Sequence, residues 1–123
     1  MYGKPKNVAL NFFIGREVIA LILGKFNTTL GIGKLAVDDP DYNINFEADF
    51  SLDKQHFKRE IISAESHRLY VLLGKKITSA QFIKEDKGDL KLTFDSGNEL
   101  IIHEDDAPYE SYTMQTPDGL VVV

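Results

Sequence analysis

His103-Glu104-Asp105-Asp106 sets an imidazole and three carboxylates side by side, the densest run of chemistry-bearing side chains in the chain. Those types could serve a metal site, a general-base site or an acidic patch for a basic partner. A metal needs three or more converging ligands, whereas consecutive residues at a strand end point alternately to opposite sides. A general base needs a nucleophile and an oxyanion donor beside it, and no motif marks either. A solvated acidic turn and a partner-facing patch both remain open. Just downstream, Tyr109 and Tyr112 flank Glu110, an aromatic-plus-acid combination suited to an interface. Tyr112 also falls in phase with Met114, which equally suits a core tyrosine with a satisfied hydroxyl. Asp38, Asp39 and Asp41 make a second acidic turn.

The remaining candidates are weaker. His56 and His67 lie eleven positions apart on a predicted helix, on one face but too far apart to share a metal. Gly31-Ile32-Gly33-Lys34 resembles a fragment of a phosphate loop, but Leu35 stands where such a loop needs Ser or Thr. No metal ligand, cofactor or catalytic residue is expected.

Composition narrows the partner. The chain has 123 residues, enough for one domain spanning 1–123. Its formal net charge of −5 disfavours nucleic acid as the main partner, because phosphate binding needs a basic footprint. An acidic surface suits a basic protein instead. There is no cysteine. No apolar run approaches the roughly 20 residues that span a bilayer. With no signal-peptide pattern, the expected location is the cytoplasm.

These residues must be positioned mainly by strands. Leu90, Leu92 and Phe94 alternate with polar residues, and Leu100 and Ile102 resume the alternation after Ser96-Gly97-Asn98. A three-residue loop opposing Phe94 with Leu100 and Leu92 with Ile102 keeps every apolar residue on one face. A strand over 75–84 precedes this hairpin, with a phase slip between Ile77 and Ala80 that predicts a bulge. In the first half, residues 17–23 read as a strand covered on both faces. Gly33-Lys34 reads as a type II′ turn opposing Ile32 with Leu35 and Leu30 with Val37. Residues 42–52 form the strongest alternation, with Tyr42, Ile44, Phe46, Ala48, Phe50 and Leu52 inward. Phe57, Ile61 and Ala64 recur at helical spacing, predicting a helix over about 53–68. Pro117-Asp118-Gly119 turns residues 111–116 onto a final edge strand.

The halves, about 8–52 and 74–123, repeat. Ile14-Gly15-Arg16-Glu17-Val18 matches Leu73-Gly74-Lys75-Lys76-Ile77, and Leu30-x-Ile32 matches Leu90-x-Leu92. The predicted fold is α+β, mostly β: two repeated antiparallel four-stranded meanders, packed as a sandwich or barrel and joined by one central helix.

The stretch LLGKKITSAQF, with GDLKLTFDSGNELIIHEDDAPYESY after it, resembles small bacterial immunity proteins that accompany polymorphic toxins, including those of contact-dependent growth inhibition. The shared look is an L-x-G-K-x-I lead, a G-x-L-x-L-x-F-x-x-G-x-x-L-x-I hairpin and a Y-E-S-Y segment, within residues 72–114. The resemblance implies a cytoplasmic, non-enzymatic protein that neutralises a cognate toxin C-terminal domain, often a cationic RNase or DNase, by covering its active site. The expected contact residues are His103, Glu104, Asp105, Asp106, Tyr109, Glu110 and Tyr112, with Asp38, Asp39 and Asp41 on the repeated turn. Some such proteins look like Whirly-type duplicated folds. The alternative function is therefore a Whirly-like or barrel domain that binds a small ligand or nucleic acid.

Overall fold

The computed structural model describes residues 9–58, 66–83, 88–104 and 111–123. In the first half, a 3-10 turn at Asn11–Phe13 leads into β1 (Val18–Leu23), β2 (Thr28–Ile32), β3 (Tyr42–Phe46), β4 (Phe50–Leu52) and β5 (Gln55–Phe57). In the second, a 3-10 turn at Ser66–Leu72 leads into β6 (Ile77–Phe82), β7 (Leu90–Phe94), β8 (Glu99–Ile102), β9 (Tyr112–Thr116) and β10 (Gly119–Val122). The strands form two antiparallel five-stranded sheets, ordered β1-β2-β3-β9-β10 and β5-β4-β8-β7-β6. Each half thus gives three strands to one sheet and a hairpin to the other. The predicted repeat is present, but its final hairpins are exchanged between the sheets.

The exchange follows from residues 42–52. The inward set Tyr42, Ile44, Phe46, Ala48, Phe50 and Leu52 is buried throughout, as the alternation predicts. The backbone nevertheless leaves the first sheet after Phe46 and joins the second at Phe50. Ile44 then pairs with Met114 on one side of the core, and Leu52 with Leu100 on the other. Fully buried aromatic side chains such as Phe46 and Phe50 each contribute about 1.5–3 kcal/mol on leaving water. Their rings meet edge to face at 5.9 Å.

The two halves also meet along a backbone seam. Gly15 N–H donates to Ile77 O at 2.8 Å and Gly74 N–H to Val18 O at 2.9 Å. Val18 N–H donates to Lys75 O at 2.9 Å, and Ile77 N–H to Arg16 O at 2.8 Å. Gly15 and Gly74 sit at φ 86° and 82°, left-handed backbone that a glycine adopts without a Cβ penalty. Their matched roles place the Ile14-to-Val18 and Leu73-to-Ile77 repeat where the sequence sets it. The bulge predicted after Ile77 is present, and β1 carries its counterpart between Val18 and Ala20.

Several expectations fail. Among the described residues there is no central helix: the helical turns are short 3-10 segments, and β5 occupies the predicted helix start. Asp53 and Lys54, at φ 51° and 73°, make a tight hairpin of the type that needs two left-handed residues. The middle of the predicted helix, 59–65, lies outside the described residues. Each sheet has five strands rather than four, and β1 is an edge strand with Ile19, Ile22 and Leu23 exposed. Ile32 pairs with Tyr42 and Leu30 with Ile44, not with Leu35 and Val37. Gly33 is needed for close approach, since a Cβ there would stand 2.8 Å from Ile19 Cγ2. The β7–β8 register is Leu92 with Leu100 and Leu90 with Ile102, two residues from the predicted one, and Gly97 takes the left-handed position. The C-terminal hairpin is as predicted, with Thr116 opposite Gly119.

Candidate functional site

The two sheets carry different polar constructions. On the first, Arg16 is buried at 4% exposure. Its Nε donates to Phe12 O at 2.6 Å, and its Nη1 to Gly33 O and Pro40 O, both at 3.1 Å. Nη2 meets Asp39 Oδ2 at 2.7 Å, and the guanidinium lies 4.7 Å from the Tyr42 ring centre. Gly33 and Pro40 stand near the two ends of the loop between β2 and β3, so one planar cation clamps both. Two carboxylates fasten the loop from within. Leu35 N–H donates to Asp39 Oδ2 at 3.0 Å, and Lys34 N–H to Asp41 Oδ1 at 2.9 Å. The clamped loop holds Leu35 in solvent and leaves Val37 94% exposed, with exposed Ile14 and Ile19 nearby on the chain's first half.

On the second sheet, five side chains from β4, β5 and the flanks of β4, β7 and β8 form one hydrogen-bonded array. Ser51 Oγ lies 2.8 Å from His103 Nε2 and 3.4 Å from His56 Nδ1. His103 Nδ1 lies 2.9 Å from Asp89 Oδ2, and His56 Nε2 lies 2.9 Å from Asp49 Oδ2. A carboxylate only accepts, so each Asp fixes the tautomer of its histidine with the proton on the Asp side. In that tautomer each ring turns its other nitrogen to a hydroxyl that has one proton to give. Chemically, this is a hydroxyl with a base in contact and the base oriented by a carboxylate.

Behind the array lies a buried carboxylate pair. Asp89 Oδ1 accepts Glu104 N–H at 3.1 Å, and Glu104 Oε1 accepts Gly88 N–H at 2.8 Å. Glu104 Oε2 is buried without a hydrogen-bond partner. Tyr112 donates its hydroxyl to Gly88 O. Burial, then the Asp89 and Glu104 carboxylates, push that hydroxyl well above the ordinary tyrosine range, so it stays a donor.

The residues expected to face a partner are thus distributed unevenly. Tyr112 and Glu104, at 1% and 6% exposure, are interior groups. Tyr112 is a core tyrosine with a satisfied hydroxyl, which its phase with Met114 permitted. His103 is half-buried and engaged by Ser51 and Asp89. Asp39 and Asp41 fasten the loop, while Asp38 is exposed on it. Asp105, Asp106, Tyr109 and Glu110 lie outside the described residues. His56 is on a strand beside His103, with ring centres 5.0 Å apart, rather than on a helix with His67. Among the described residues no group of three or more His, Cys, Asp or Glu could hold a metal. No helix among them is long and apolar enough to cross a membrane.

Reading the sequence missed Ser51, Asp49, Asp89 and Arg16. Ser51 is one polar residue on the outward phase of a long alternation, and nothing local sets it apart. The Arg16 signal was available: an arginine inside a repeated glycine-led motif whose other copy carries Lys75.

Together these features define a duplicated antiparallel β-sandwich with exchanged hairpins. The chain belongs to DUF6188, a family of unknown function, whose model matches residues 17–123. No curated protein and no solved structure matches it.

Proposed function

We propose that the protein is an immunity-type binding protein that neutralises one cognate toxin domain, a cationic nuclease, by covering its active site. The observation that carries this reading is the clamped loop. A buried arginine with four polar contacts is used to hold Val37 and Leu35 out of the core. Apolar side chains fixed in solvent by a rigid loop are suited to binding, because little conformational freedom remains to be lost on contact. Asp38 on the loop and Glu17 at the seam are exposed beside them, and the net charge of −5 extends the attraction to a basic surface. A nuclease active site is basic so as to hold phosphates, which makes it a complementary target.

The test is to purify the chain with the toxin-type domain encoded next to it and titrate that domain's nuclease activity. Activity should fall linearly to zero at one equivalent. Val37→Asp with Leu35→Asp should restore it while leaving the melting temperature unchanged. Undiminished activity at excess chain would refute the reading. Salt-sensitive binding of oligonucleotides by the chain alone would favour the Whirly-like alternative.

A further inference from the structure

We infer that Ser51 is an activated nucleophile, able to accept an acyl group from a small ester, with His103 as its base and Asp89 as the positioning residue. This activity is independent of the loop at 34–41 and goes beyond partner binding. Three observations carry it. The hydroxyl, imidazole and carboxylate stand in consecutive hydrogen-bond contact at 2.8 Å and 2.9 Å. The carboxylate is itself held, since Asp89 Oδ1 accepts Glu104 N–H and Asp89 is buried at 1% exposure. A second imidazole, His56, oriented by Asp49, lies 3.4 Å from the same oxygen and is 48% exposed on an edge strand; it is the solvent-facing member of the array, and Ser51 itself is 9% exposed.

The step balances without any cofactor. Ser51 Oγ bonds to the ester carbonyl carbon as its proton passes to His103 Nε2. The bond from that carbon to the alcohol oxygen then breaks, and the alcohol leaves with the proton from His103. Water attacks the acyl-serine, giving its proton to the same nitrogen, and release of the carboxylic acid restores Ser51.

The molecule contains its own control. Ile102 and Phe46 occupy equivalent places, each paired across the exchange, with Phe50 and Tyr112 respectively. Glu47 therefore stands where His103 does, and Thr113 where Ser51 does. Thr113 is a strand hydroxyl on the outward phase with a carboxylate, not an imidazole, at the matching position.

The intact chain is incubated with p-nitrophenyl acetate and, separately, with a fluorophosphonate, whose phosphorus bonds to the serine oxygen as fluoride leaves. Adducts are located by peptide mass mapping. A single adduct at Ser51 is expected, with Thr113 unmodified. His103→Ala should slow labelling about 100-fold or more, and added imidazole should restore part of the rate. Asp89→Asn keeps the acceptor for Glu104 N–H, but its amide donates to Nδ1 and moves the ring proton to Nε2. Labelling should fall to a similar degree while the melting temperature changes little. Absence of an adduct on the unmodified sequence would overturn the inference. So would an adduct at Thr113 at a comparable rate, or Ser51 labelling indifferent to His103→Ala and Asp89→Asn.

Discussion

The two halves share a seam and differ in what they build on it. In the first, the position after the seam glycine is Arg16, and the chain between β2 and β3 runs through a loop clamped onto it. In the second, the same position is Lys75, and β7 turns directly into β8 through Gly97. The core partners differ as well: Phe50 in one copy corresponds to Tyr112 in the other, and Ala48 to Glu104. The first half has used its divergence to fix a surface, the second to bury the polar set Asp89, Glu104 and Tyr112. A duplicated scaffold permits this, because either copy changes while the common seam and alternating core hold the fold.

The largest expected effect tests the clamp. Arg16→Ala removes the donor to the Phe12, Gly33 and Pro40 carbonyls and leaves Asp39 with the Leu35 N–H but no cation. It should cost about 2–4 kcal/mol in denaturant unfolding, below the range for a fully buried pair because Asp39 keeps some exposure. Lys75→Ala, at the matching place, should cost within about 0.5 kcal/mol. Equal losses would remove the distinction between the halves.

Tyr112→Phe makes the second copy resemble the first at Phe50. Loss of the hydroxyl leaves Gly88 O unpaired in the core, for an expected cost of about 1–2 kcal/mol. It should also alter the alkaline limb. The folded state keeps the Tyr112 proton where the unfolded chain releases it. Its contribution is therefore full below the unfolded value of about 10 and is lost as pH rises above that value. In Tyr112→Phe, melting temperature should decline less steeply from pH 9 to about 11; an identical slope would contradict the protonated, buried hydroxyl.

The smallest effect belongs to the loop. Val37→Ser should change stability by no more than about 0.5 kcal/mol, because the side chain is almost wholly in solvent. A greater loss would show that Val37 packs, and would take away the surface on which the proposed binding depends.

Side-chain parity was legible in the sequence, and connectivity less so. The alternation over 42–52 named the buried residues correctly, but it is unbroken across Ala48, where the chain changes sheets. Parity likewise cannot separate registers two residues apart, and the β7–β8 hairpin slipped by that amount. The same slip matched Leu30 to Leu90, whereas the pairs Val18–Ile32 and Ile77–Phe94 set Leu30 against Leu92. The helix was predicted because Phe57, Ile61 and Ala64 have helical spacing. The competing hairpin turn uses Asp53 and Lys54 in left-handed backbone, with no glycine to mark it. The Ser51 array was illegible for a related reason, since its members converge only once β4 lies beside β8.

The exchanged hairpins have a consequence for how the chain reaches this state. Neither sheet is completed by local contacts: β3 waits for β9, and β8 must receive β4. Closing such distant pairs costs chain entropy before any burial rewards it, which places the protein among slow folders, on the order of milliseconds to seconds. Until the hairpins cross, β3 and β8 present open edges to any neighbouring chain. A nascent copy could then complete its sheet with the hairpin of another molecule.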